Sequence, residues 1–177
     1  MANTVIRSTG SAIVLSMVLA VSARRSVVAA PTECASFTAA SAASVMGVPK
    51  ARANPSAGHK KMSPDNMDVI GCSYVEDSRD PMAKSMIFWV YTPIAKDLAS
   101  EFASLSKPYI PGNPQSFSPG IGTGSTGWTR VNATDTYEGS VVFRRAADIV
   151  VVRVNGMPNA DAAKGAAVKA GNILAKL

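Results

Sequence analysis

Hydrophobic residues recur with two different periods along this chain. From Val69 to Glu76 they alternate, placing Ile70, Cys72 and Tyr74 on one face. Period two marks a half-buried strand. Lys84 to Tyr91 (KSMIFWVY) is apolar on both faces, with Met86, Phe88 and Val90 against Ile87, Trp89 and Tyr91. Such a run predicts a central strand, or one whose outward face is covered. Trp128–Asn132, Ser140–Arg145 and Ile149–Val154 read as three further strands joined by short polar turns. Ala146-Ala147-Asp148 is short enough to turn a hairpin between the last two.

Helical spacing takes over in three places. Thr38 is an N-cap for Ala39 to Met46, Gly47 a left-handed cap, and Pro49 forbids continuation. Thr92 with Pro93 predicts a second start, followed by the apolar stripe Ile94, Leu98, Phe102 and Leu105. Asn159 caps a third helix from Ala160 to about Lys176, whose buried face is Ala163, Ala166, Ala167, Ala170, Ile173, Leu174 and Leu177. The order α-β-β-α-β-β-β-α predicts an α+β domain. It would have a single antiparallel sheet of about five strands, helices packed mainly on one face and the short helix at an edge.

Two stretches follow neither period. Residues 49–68 carry Pro49, Pro55, Gly58 and Pro64 with Lys50, Arg52, Lys60 and Lys61, and are read as a basic loop. His59, the single histidine, sits there among lysines. Residues 107–127 are read as a Pro/Gly loop. Its Gly122-Thr-Gly124-Ser-Thr-Gly127 matches a dinucleotide fingerprint literally, but Pro-rich coil precedes it and a strand follows, so the βαβ setting is lacking. That loop also holds Tyr109, Ile110, Phe117 and Ile121, and leads into Trp128 and Arg130. Helix and strand faces are committed to a core by their periodicity. The predicted contact surface is therefore Tyr109, Phe117, Trp128 and Arg130, of which Trp and Arg are types enriched at binding hot spots. The competing reading is that Phe117 and Trp128 cover an exposed edge of the core.

Charge changes meaning once the N-terminus is considered. Arg7, the apolar run Ala12 to Ala23 (AIVLSMVLAVSA) and the small residues that follow have the form of a secretory signal over residues 1–30, cleaved after Ala23 or Ala29. The full chain carries 18 basic and 12 acidic residues, a charge of +6. Loss of Arg7, Arg24 and Arg25 leaves 15 against 12, or +3, so the basicity belongs partly to targeting. Nucleic acid is not an expected partner, and the membrane is expected only transiently, through the signal. Residues 31–177 are read as one domain, periplasmic or secreted. Cys34 follows Pro31-Thr32-Glu33, which is not a lipobox.

Cys34 and Cys72 are the only cysteines. In an exported chain such a pair is expected as a disulfide tying the first helix to the first strand. Closing a loop of this length is worth roughly 4 kcal/mol in the chain-entropy view. One histidine in a basic loop supports neither a nucleophile–His–acid set nor a metal cluster. Glu76, Asp77 and Asp80 share one turn, which suits hydration better than paired catalysis. Enzyme chemistry and cofactors are therefore not expected.

The order Cys34…Thr38-Ala-Ala…Met46-Gly47, then Cys72-Ser-Tyr74, Gly120-Ile-Gly122, a strand pair and an Ala-rich helix ending Lys176-Leu177 resembles a bacterial group. These are small secreted or lipid-anchored α+β domains of unknown function, similar in layout to the extracellular sensor domain of the mycobacterial receptor kinase PknH. The resemblance implies no catalytic residues. Together these readings point to an exported, non-catalytic binding domain with an unknown protein as partner. The alternative is a periplasmic sensor or carrier of a small apolar ligand held between sheet and helices.

Overall fold

The computed structural model describes residues 32–54, 58–62, 67–80, 82–94, 97–107 and 113–177. The proposed signal segment and Tyr109 lie outside them. Among the described residues, eight strands form one antiparallel sheet. They are β1 (Ala51–Ala53), β2 (Gly58–Met62), β3 (Met67–Glu76), β4 (Ser85–Pro93), β5 (Gln115–Phe117), β6 (Ser125–Val131), β7 (Tyr137–Arg145) and β8 (Asp148–Met157). The helices are α1 (Thr32–Ser36), α2 (Ala39–Met46), α3 (Leu98–Leu105) and α4 (Ala160–Leu174). The α+β class and the single antiparallel sheet agree with the apolar pattern.

The strand number exceeds the expected value of about five because short strands escape periodicity. The additions come from the stretches read as loops. β1 and β2 both pair with the outer edge of β3, and β5 pairs with the outer edge of β6. Across the sheet the order is β1-β3-β4-β8-β7-β6-β5, with β2 beside β3. Two meanders therefore meet at β4 and β8, where Phe88 lies opposite Val152. The two-sided apolar character of β4 is the consequence of that interior position.

Phe37, Phe88, Val152 and Phe143 are fully buried on one face of the sheet, together with Met46 of α2 and Ala163, Ala167 and Ala170 of α4. Phe37 meets Phe88 edge-on at 5.3 Å and Tyr74 at 5.5 Å between ring centres. The alanines let α4 lie close: a Cβ on Gly139 of β7 would strike the Ala163 carbonyl. Cys34 and Cys72 form a disulfide, with Cα atoms 5.5 Å apart. It ties β3 to α1, a five-residue helix that the pattern did not predict, rather than to the longer α2.

α2 has the predicted caps. Thr38 Oγ1 accepts from the Ser41 amide at 3.1 Å, and Gly47 takes φ 63° while its amide donates to the Ala43 carbonyl. α4 likewise starts at Asn159, whose Oδ1 accepts from the Ala162 amide at 2.8 Å. Leu177, expected in its buried face, is 54% exposed, because the helix ends at Leu174. The α3 start differs more. β4 continues through Pro93, Ile94 is 55% exposed, and Asp97 is the N-cap, accepting from the Ala99 amide. The Thr92 hydroxyl instead donates to Asp148 at 2.7 Å. α3 packs on the opposite face of the sheet from α4, where Leu98, Phe102 and Leu105 cover Trp128, Val142, Ile149 and Val151. The two had been expected on one face; the outward residues of β4 and β8 are apolar and require their own cover.

Candidate functional site

α3 covers only part of its face. Beyond it, successive strands place Arg130 of β6, Glu138 and Ser140 of β7, Arg153 of β8, and Ile87 and Trp89 of β4 on the same side. Arg130 is the direct cross-strand partner of Glu138. Arg153 is opposite both Ser140 and Ile87. The β7–β8 register shifts between Tyr137 and Gly139, so Asn155 and Gly156 are fitted against Glu138 alone. Gly156 takes φ 78° there, a conformation that a side chain would resist. A bulge of this kind bends the strand and re-aims its side chains.

Glu138 is 1% exposed. Its Oε2 accepts from Arg130 Nη2 at 2.6 Å and its Oε1 from Ser140 Oγ at 3.1 Å. Arg153 Nε lies 3.3 Å from the same Oε1. The Arg153 guanidinium also sits 5.4 Å from the centre of the Trp89 ring, a cation–π contact. Both arginines remain partly open, their side chains 20% and 28% exposed. Removing Glu138 would leave two neighbouring arginines without their counter-charge, which is costly. Tyr91, farther along the same face, has its phenol pushed up by burial and drawn partly back by the Arg153 charge.

The residues predicted as a contact surface are divided by the sheet. Trp128 and Arg130 lie on the α3 side, Trp128 buried as a floor and Arg130 in the cluster. Phe117 lies on the α4 side, half-buried against the core, with Lys164 Nζ 5.2 Å from its ring centre. A Cβ on Gly127 would overlap that ring, so this glycine is the seat for Phe117. Ile121, from the same loop, is buried against Gly171 of α4. The glycine-rich run thus turns into β6 around packed side chains. Missed in the sequence were Trp89, Glu138, Ser140 and Arg153. A signal existed: a tight turn at 132–136 places Arg130 opposite Glu138 across the hairpin.

A separate cleft of about 110 Å³ opens beside α1, lined by Glu33, Ser36, Phe88, Val90, Arg145, Leu174 and Leu177. Arg145 there donates to the Leu174 carbonyl at 3.1 Å and pairs with Asp148 at 3.4 Å. Among the described residues no three or more His, Cys, Asp or Glu gather where they would hold a metal ion, and no helix is long and apolar enough to cross a membrane. Comparison with protein-family models, with curated proteins and with solved structures finds no match to this chain.

Proposed function

We propose that the chain is an exported, non-catalytic binding domain that meets a protein partner through the part of the sheet face left open by α3. The observation that carries this reading is the cluster itself. Two partly open arginine side chains and an indole, types typical of binding hot spots, stand on adjoining strands around a buried carboxylate. Strands hold such groups more firmly than loops do, so little conformational freedom is lost on binding. The disulfide and the signal-like segment at residues 1–30 support an oxidising destination, periplasmic or secreted. The likeness to small secreted bacterial domains fits the same reading.

The carrier alternative draws less support. The cleft beside α1 falls well short of the ~300–1,000 Å³ common for small-molecule sites, and its arginine is already paired. A photo-crosslinking residue at Ile87, in protein exported by its own host, tests the proposed face. A discrete adduct is expected from Ile87, none from the exposed α4 position Asp161, and loss of the Ile87 adduct when Arg153→Glu is added. Equal crosslinking from both positions would sink the proposal.

A further inference from the structure

Charge is distributed unevenly over the face that α3 shares. By register, the residues facing this way on β1 and β3–β8 include four arginines (Arg52, Arg130, Arg144 and Arg153) and one carboxylate, Glu138. Arg144 lies under α3, 5.5 Å from the Phe102 ring centre. The open half is left with three cations and one anion. Glu138 is fully engaged, accepting from Arg130 and Ser140 and paired with Arg153. The guanidinia are less so: Arg130 meets Glu138 through Nη2, and the Nε atoms of both arginines are buried without a hydrogen-bond partner, which leaves terminal nitrogens as the groups to meet a ligand. Arg153 lies beside the Glu138 carboxylate and over the Trp89 ring.

We infer that this half of the face is a receptor for carboxylate side chains, and that the partner presents an acidic segment to it. The inference rests on the proposed binding face and names its chemistry. Glu138 acts as the internal anchor: it holds two guanidinia together that would otherwise repel, and leaves the pair with net positive charge. Trp89 holds the Arg153 plane from one side. Arg153 meets Glu138 at 3.3 Å through Nε rather than through its terminal nitrogens, which leaves those as the fork to take a carboxylate through two parallel hydrogen bonds. A lysine at this position would keep the charge and lose the fork. Arg52, exposed at the β1 edge opposite Val75, extends the positive strip, so a run of acidic residues fits better than one. Ile87 and Trp89, both half-buried, give the segment an apolar bed between the charges.

Titration of the full ¹⁵N-labelled chain decides, followed through the arginine Nε–H signals. The probes are an acetylated Gly-Glu-Glu-Gly peptide, its glutamine counterpart and inorganic phosphate, at matched ionic strength. The glutamate peptide is expected to shift the Arg130 and Arg153 signals to saturation, and the glutamine peptide to leave them in place. Arg153→Lys is expected to weaken the response about tenfold or more, the value of a charged hydrogen bond, with an unchanged melting temperature. If that variant fails to fold, the wild-type titration decides by itself. Saturation by phosphate without a response to the glutamate peptide would assign the site to phosphate groups and overturn the inference. Silence towards both probes overturns it as well. The crosslinking at Ile87 is independent of these outcomes, so an adduct there would preserve the binding face while the acidic-segment assignment fails.

Discussion

Tyr74 shows how much a single residue holds together. Its hydroxyl donates to the Phe37 carbonyl and reaches the Cys34 carbonyl at 3.1 Å, and its ring packs on Phe37. One phenol thus closes the turn between α1 and α2 onto β3. Burial pushes its pKa up from the ordinary 10.0. The folded protein therefore keeps the phenol proton to higher pH than the unfolded chain does. Below pH 10 both states hold it and the contribution is intact; above, the unfolded chain loses it first, so stability falls as pH rises towards the raised folded value. Tyr91 adds to the same trend. Tyr74→Phe is expected to cost about 1–2 kcal/mol near neutral pH through its lost hydrogen bonding. It should also flatten the decline of the melting temperature between pH 9 and 12. An equally steep decline in the variant would show that other groups carry it.

Packing of elements turns on small residues facing larger ones. Gly139 lets α4 settle on β7, and its replacement by alanine must push the helix away or bend the strand. Gly139→Ala is expected to destabilise by about 3 kcal/mol, the upper range for overpacking, as read by urea denaturation. A neutral result would mean that α4 is not seated as described. Phe117 gives the converse test. It is half-buried between the Gly127 seat and Lys164, so Phe117→Ala is expected to cost about 2 kcal/mol, somewhat below a fully buried aromatic. The Ile87 adduct should be unaffected, since Phe117 lies on the other side of the sheet. Loss of the adduct with an unchanged melt would return Phe117 to the contact surface.

At the scale of the molecule, the disulfide joins the start of the described chain to a strand inside the sheet. Cys72→Ser is expected to lower stability by roughly 2–5 kcal/mol, with the loss repeated when the native protein is reduced. Two free thiols in the native protein would contradict the bridge. The β4–β8 pair joins segments far apart in sequence, and non-local pairing of this kind folds slowly. The bridge shortens the route for the N-terminal meander but not for that central pair.

Local chemistry was legible from the residues alone. The Cys34–Cys72 bridge was expected from the expected export, and the caps of α2 and α4, the five longer strands and the inward face of β3 follow from period and capping residues, which act over a few positions. The start of α3 did not, because Thr92-Pro93 makes an acceptable cap but β4 gains more by continuing its ladder on β3. Cross-chain neighbours were equally hidden. The last carbonyls of α2 receive no basic residue from their own turn. Lys84 reaches the Met46 carbonyl at 3.0 Å, and Lys169 reaches that of Ser44 at 2.7 Å, from β4 and α4. The Arg130–Glu138–Arg153 cluster is of the same kind. Its members come from three strands, and only the register of two hairpins with a bulge decides that their charges meet. A periodic pattern specifies which face of an element is buried; which elements share that face is decided by tertiary pairing, and there the candidate site arose.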